Sequence, residues 1–226
     1  KDGGALFRFA DDSDPVLYAK NREDAPINCI YVKGKNFDLI YGPGPNKETM
    51  DMIFGGKDPF YVDHKALLSR INVKPEDIDY VVIDHMCFDH PSGIDLFPNA
   101  KIIVQKNLFD MPNPLEIPMP DGTIFKLALA EDYAKIEKAK EENRLMVIDG
   151  DYQIAPGIKS YYAPGHTHET NFLTVNSKDG NIVITGDSCY TYLNLKRNII
   201  PADFVVADAK SVMQSYEKIR QAMGAN

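Results

Sequence analysis

The sequence of 226 residues predicts a mixed α/β domain, of the α+β kind. Short apolar runs bounded by Gly, Pro, Asn or Asp occur along the chain and are typical of strands. Amphipathic stretches near residues 62–71 and 211–223 are typical of helices with one buried face. Histidines and aspartates directly follow several apolar runs. The length suits one large domain covering residues 1–226.

The first half of the chain is predicted to place strands and a helix before its most polar segment. The predicted elements are strands at Ala5 to Phe9, Cys29 to Lys33, Phe37 to Tyr41, Tyr80 to Ile83 and Lys101 to Gln105, and a helix at Val62 to Ile71. Gly42-Pro43-Gly44-Pro45 ends the third strand abruptly.

The second half continues with an apolar loop from Leu108 to Asp121, whose four prolines exclude a regular element. The remaining predicted elements are helices at Leu127 to Asn143 and Ser211 to Met223, and strands at Leu145 to Ile148, Ser160 to Tyr162, Asn171 to Val175 and Ile182 to Thr185. Asp179-Gly180 between the last two strands is a hairpin signal. The charged helix after Leu127 is interpreted as a solvated surface.

Composition limits the classes of partner. A net charge of -8 and a pI near 5.1 argue against nucleic acid or an anionic membrane surface. The apolar runs are too short to span a bilayer, so a soluble chain acting on a small molecule is expected. Lys1 opens the sequence without Met, so both a cytoplasmic location and secretion after removal of a signal peptide stay open, as does the oligomeric state.

The segment from Asp84 to His90 holds two histidines, one cysteine and two aspartates directly after an apolar run. Imidazole nitrogen, thiolate and carboxylate oxygen are the ligands that zinc accepts. His85 and Cys87, two residues apart on extended backbone, would project to the same side, while Asp89 and His90 could face a second ion. The alternative is a helix cap with satisfied histidines. Gly165-His166 and Gly186-Asp187, each at a strand end, favour the metal site.

These three segments together resemble the metallo-β-lactamase-fold hydrolase superfamily, whose fold is a four-layer αββα sandwich. Lys101 to Gln105 and Asp187 to Thr191 resemble the N-acyl-homoserine-lactone lactonase branch. The resemblance implies a metal-dependent hydrolase that cleaves a lactone or another ester-like small molecule through a metal-bound hydroxide. It implies zinc, as one or two ions, with iron or manganese as alternatives. The apolar loop after Leu108 would form part of an acyl pocket.

The resemblance also implies roles for individual residues. His85, Cys87 and His166 would bind the first ion, Asp89 and His90 the second, and Asp187 would bridge them. Asp89 would also orient the attacking water or accept its proton. Tyr190 would help to polarise the substrate carbonyl, with a packed core aromatic as the alternative.

Three departures from the family pattern qualify the function. Cys87 stands where histidine is usual, which predicts a weaker Lewis acid or, alternatively, a buried thiol that binds nothing. The family's last histidine ligand has no counterpart before Asn226, so either a C-terminal segment is missing or the second site is incomplete, with His168 as a partial substitute. Tyr41-Gly42-Pro43-Gly44 lacks the carboxylate of an Asp-Thr-Gly turn. His64 is expected to be an exposed helix residue.

These departures leave two alternative functions of the same fold. One is a non-hydrolytic protein with a redox metal, suggested by Cys87. The other is a binding protein that has lost catalysis, suggested by the absent last histidine.

Overall fold

The computed structural model describes residues 28–54, 61–110, 116–118, 122–200 and 208–224. They fall into two compact units, an N-terminal unit that ends at Ile148 and a C-terminal unit that runs from Asp149 onward. The strand predicted at Ala5 to Phe9 lies outside the described residues, and the single domain over residues 1–226 stays a prediction. Among the described helices, none is both long and apolar enough to cross a membrane.

Strands and helices follow the sequence pattern in most places. The strands are β1 Ile30–Lys33, β2 Asp38–Tyr41, β3 Tyr80–Val82, β4 Lys101–Gln105, β5 Glu116–Pro118, β6 Ile124–Lys126, β7 Leu145–Ile148, β8 Tyr152–Ala155, β9 Ile158–Tyr162, β10 Asn171–Ser177 and β11 Gly180–Ile184. The α-helices are α1 Lys47–Phe54, α2 His64–Ser69, α3 Ala130–Glu141, α4 Tyr192–Arg197 and α5 Ala209–Ala222.

The N-terminal unit contains a five-stranded sheet in the order β1-β2-β3-β4-β7. Only β1 and β2 pair antiparallel; β2, β3, β4 and β7 run parallel. Strand β2 is buried throughout, and β4 is buried except at its first residue, as expected for parallel strands covered on both faces. Since these strands run in the same direction, the segments that follow Tyr41 and Val82 leave the sheet at one edge.

The core of the N-terminal unit joins this sheet to the helices. It includes Ile40, Val81, Ile102, Val104, Leu68, Ile94, Phe97, Tyr133, Ile136 and Ala139. Helix α3 therefore buries one face, although its sequence was interpreted as a solvated surface. Its apolar residues Tyr133, Ile136 and Ala139 recur every three positions, and that stripe packs on the core.

The C-terminal unit contains a four-stranded antiparallel sheet in the order β11-β10-β9-β8. The predicted hairpin is present, because Ser177 pairs with Gly180 across the turn. Helix α5 begins after Asp208, whose carboxylate accepts hydrogen bonds from the backbone N–H groups of Lys210 and Ser211. The core of this unit includes Ala163, Phe172, Cys189, Leu195, Val212, Tyr216 and Ile219.

Two predictions about local structure were wrong. The region from Leu108 to Asp121 was expected to be irregular, yet it contains β5, which pairs antiparallel with β6. Pro118 stands at the end of β5, where a proline interrupts a ladder least. His64 was expected to be exposed, yet it is buried at the start of α2.

Candidate metal centre

The polar segment Asp84 to His90 leaves the sheet of the N-terminal unit directly after β3. The N–H of Ile83 still donates to the carbonyl of Ile103 in β4 (2.9 Å), so the segment departs from a fixed edge. Its path is then held by backbone hydrogen bonds from Phe88 to Leu127 (2.8 Å) and from His90 to Cys87 (2.9 Å). The loop is therefore ordered by its own backbone.

Buried polar side chains converge in this segment. Asp84, His85 and His90 are all buried, and each offers one donor atom within 4.8 Å of the others. Oδ2 of Asp84 lies 2.7 Å from Nδ1 of His90 and 3.2 Å from Nδ1 of His85. The two imidazole rings lie with their centroids 4.1 Å apart. Buried ionisable groups are costly unless they are paired or bind metal, which makes this cluster a candidate site.

Cys87 and Asp89 border the same cluster. Cys87 is buried, and its sulfur lies within 4.8 Å of a nitrogen of His85. Oδ2 of Asp89 lies 3.6 Å from Nε2 of His90, and the Asp89 side chain keeps 24% of its surface exposed. The N-terminal unit thus brings together all four of its predicted ligands, with the nitrogen, sulfur and oxygen donors that zinc accepts.

Electrostatics explain how Asp84 can be buried. Burial alone would raise the pKa of its carboxyl group, but the imidazoles of His90 and His85 hold that pKa well below its usual range. We expected no supporting carboxylate at the site, because the turn Tyr41-Gly42-Pro43-Gly44 contains none. The turn itself has no carboxylate, but the carboxylate of Asp84 lies beside it. A Cβ atom at Gly42 would lie 3.3 Å from Oδ1 of Asp84.

The other predicted site residues lie in the C-terminal unit, where the structure also brings them together. Nε2 of the buried His166 lies 3.4 Å from Oδ2 of Asp187. The hydroxyl of Tyr190 lies 3.3 Å from Nδ1 of His166. Gly165 positions His166 with a φ of +139°, and a Cβ atom there would lie 2.5 Å from the backbone nitrogen of Val212. This loop therefore requires glycine.

His168 differs from His166 in its surroundings. His166 is buried, whereas His168 is exposed, and the backbone carbonyl of His168 accepts a hydrogen bond from the hydroxyl of Tyr162. An exposed position does not favour the ligand role that was considered for His168.

A cavity of about 300 Å³ lies beside α3 in the N-terminal unit. The residues that line it are Leu108, Phe109, Ala130, Tyr133, Ala134, Ile136 and Glu137. Six of these seven side chains are apolar or aromatic, which suits an acyl chain.

Asp84 is the residue of the candidate site that sequence reasoning missed. Its signal was present in the sequence, as a carboxylate directly before the first histidine of the motif. Periodicity could not show its direction, because the chain leaves β3 at Val82 and turns inside the loop.

Comparison with known proteins gives the family. The profile of the family described as "Metallo-beta-lactamase superfamily" matches residues 22–225. An N-acyl homoserine lactonase of Bacillus cereus is 27% identical over 159 residues, which are 70% of this chain and 56% of that protein. The lactonase AttM of Azorhizobium caulinodans is 26% identical over 167 residues, or 69% of this chain and 57% of that protein. The chain thus spans little more than half the length of these curated relatives.

Solved structures agree on the fold. A probable metal-dependent hydrolase from Staphylococcus aureus matches with a TM-score of 0.70 at 25% identity, over 96% of this chain and 78% of that one. A quorum-quenching N-acyl homoserine lactone lactonase matches with a TM-score of 0.68 at 20% identity, over 98% and 84%. The predicted metallo-β-lactamase fold, a mixed α/β fold with two main sheets and helices, is confirmed.

Proposed function

This chain belongs to the metallo-β-lactamase superfamily, and from that premise we propose that it is a metal-dependent hydrolase of a lactone or another ester-like small molecule. The observation that carries the proposal is the cluster of buried donor side chains of His85, Cys87 and His90 after β3. Such a cluster is expensive to bury and fits a cation. The names of the relatives, which are N-acyl homoserine lactonases, favour a lactone among the ester-like substrates.

The proposed metal ligands are the six residues inferred from the sequence, namely His85, Cys87, Asp89, His90, His166 and Asp187. Their support is the chemistry of their donors and the close grouping of the candidates within each unit. Zinc is the proposed metal, because it accepts nitrogen, sulfur and oxygen ligands together. When bound, the metal would supply Lewis acidity and lower the pKa of water.

The side chains of the protein have separate roles in this proposal. Asp89, which is partly exposed beside His90, would orient a water molecule and accept its proton. The hydroxyl of Tyr190 would donate to the carbonyl oxygen of the substrate as negative charge develops there. The apolar cavity beside Leu108 and Phe109 would hold an acyl chain.

Hydrolysis tests the proposal directly. The zinc-loaded chain is assayed for proton release on acyl homoserine lactones, thioesters, β-lactams and phosphodiesters. We expect turnover of a lactone, a rate that depends on acyl length, and loss of both metal and turnover in His90→Ala. His168→Ala is the matched control, since that imidazole is exposed and should be dispensable. A zinc-loaded chain that cleaves no substrate of these classes would contradict the proposal.

Cys87 favours a second candidate, a non-hydrolytic protein with a redox metal, because a thiolate suits iron as well as zinc. Elemental analysis of protein purified without added metal discriminates between the two. Stoichiometric zinc supports the hydrolase, and iron with visible absorption supports the redox protein.

Cobalt substitution tests whether Cys87 binds the metal at all. We expect a thiolate-to-cobalt charge-transfer band in the near ultraviolet for the native chain and its loss in Cys87→Ser. Identical spectra would show that Cys87 is a buried thiol outside the ligand set. Cys29→Ser is the control, because Cys29 lies outside the proposed ligands.

A further inference from the structure

We infer that Asp84 is a positioning residue that fixes two imidazoles, those of His85 and His90, with Nδ1–H toward its carboxylate and Nε2 toward the metal. The inference deepens the proposed function and rests on the assignment of these histidines as ligands. It uses a carboxylate that stands directly before the motif.

The geometry favours hydrogen bonding by Asp84 over binding of the metal by Asp84. The same oxygen, Oδ2, contacts Nδ1 of His90 at 2.7 Å and Nδ1 of His85 at 3.2 Å. Two ligands about 2.0–2.1 Å from a tetrahedral zinc ion stand about 3.3 Å apart, so 2.7 Å is too short for a shared ion. It is an ordinary distance for an N–H group that donates to a carboxylate.

The shared acceptor determines the tautomer of both rings. A carboxylate has no hydrogen to donate, so each contacting Nδ1 must carry one. In a neutral imidazole the lone pair is then on Nε2, the nitrogen available to a metal. A carboxylate behind a metal-binding histidine orients the ring and raises its basicity. Here one carboxylate would do this for two ligands.

The neighbouring turn leaves space for this arrangement. Gly42 has a φ of +58°, and its N–H donates to the carbonyl of Val82 (3.0 Å), which ties the turn to the end of β3. A side chain at this position would begin 3.3 Å from Oδ1 of Asp84. Glycine at position 42 therefore leaves room for the carboxylate of Asp84.

Nitrogen NMR of the metal-free chain determines the tautomers of His85 and His90 independently of activity. The chain has five histidines, and His85→Gln and His90→Gln assign the two resonances of interest. We expect both rings in the Nδ1–H form, whereas free neutral histidine favours the Nε2–H form. Finding either ring in the Nε2–H form would overturn the inference, and this measurement needs no variant at Asp84.

Zinc affinity, measured by competition with a chelator, gives the second readout. Asp84→Asn should weaken binding by about 10- to 100-fold and move at least one ring toward the Nε2–H form. Asp38→Asn is the matched control, because Asp38 is a buried carboxylate of the same unit that pairs with Tyr31 and Lys33. If Asp84→Asn keeps the zinc affinity and the ring tautomers of the native chain, the inference is refuted, while the proposed hydrolysis is unaffected. A native chain with both Nδ1–H tautomers and no zinc binding would contradict the proposed function instead.

Discussion

The hydroxyl of Tyr190 meets Nδ1 of His166 at 3.3 Å, and the two rings lie edge to face with their centroids 5.9 Å apart. Two roles for Tyr190 can be tested separately, as the proposed donor to the substrate and as a support for the proposed ligand His166. The alternative considered from the sequence, an aromatic packed on the core with its hydroxyl at the rim, is compatible with this contact and stays open.

Replacement of Tyr190 by Phe separates these roles. If the hydroxyl stabilises the developing oxyanion, kcat should fall by about 10²-fold with unchanged zinc affinity. Weaker zinc affinity would show instead that the hydroxyl acts through His166. Tyr152→Phe is the control, because Tyr152 is exposed on β8 of the same unit. Unchanged kcat and affinity in Tyr190→Phe would contradict both roles.

Replacement of Gly42 by Ala should destabilise the protein more than the same change at Gly122. Both glycines have positive φ values, +58° and +83°, so each variant carries a backbone strain of about 1–3 kcal/mol. The added Cβ meets Asp84 at position 42, whereas no described atom lies within 4 Å of it at position 122. Unfolding in urea gives both free energies, and equal losses would show that the contact with Asp84 has no cost.

Removal of the Ser92 hydroxyl should loosen the segment that follows the metal motif. Oγ of Ser92 lies 2.7 Å from Oδ2 of the buried Asp132 and 2.9 Å from the carbonyl of Phe88. Ser92→Ala leaves a buried carboxylate with fewer partners, which should cost about 1–3 kcal/mol of unfolding free energy. Ser177→Ala, at an exposed hairpin, is the control. A loss no larger than that of the control would argue against the network.

Cys189 should make stability depend on pH in alkaline solution. Burial raises the pKa of this thiol from 9.0 to about 11. Between these values the unfolded chain releases the thiol proton and the folded chain keeps it, so stability falls as pH rises across the window. The loss attributable to Cys189 should approach about 3 kcal/mol above pH 11 and be absent below pH 9.

The measurement compares urea unfolding of the native chain and Cys189→Ala, both reduced, at several pH values. The other ionisable groups are present in both chains, so the pH dependence of the difference in unfolding free energy reports the Cys189 thiol together with its electrostatic effect on Tyr216. Parallel profiles between pH 9 and pH 11 would contradict the prediction.

Much of the fold could be predicted because burial leaves a pattern in the sequence. β4 and β7 have the predicted bounds, since each is an apolar run with polar residues on both sides. Helices α1 and α4 were missed because they have only eight and six residues, too few for an apolar stripe to repeat. Oδ1 of Asn46 accepts from the N–H of Thr49 before α1, and the hydroxyl of Thr191 caps α4 in the same way.

The candidate site, like the fold, could be predicted only in part from the sequence. The sequence predicted residue types at strand ends, and the structure groups them within each unit. The inward direction of Asp84 could not be predicted, because it depends on the path of an irregular loop and on the space beside Gly42. The burial of His64 likewise depends on contact with the turn at Gly44, where an added Cβ atom would lie 3.0 Å from Nε2 of His64.

Since one carboxylate oxygen contacts both His85 and His90, the two histidines are thermodynamically coupled. When either imidazole is removed, Oδ2 of Asp84 keeps its contact with the other histidine only. The free-energy effects of the two replacements should therefore not add. A substitution tolerated at one of these positions would depend on which residue occupies the other.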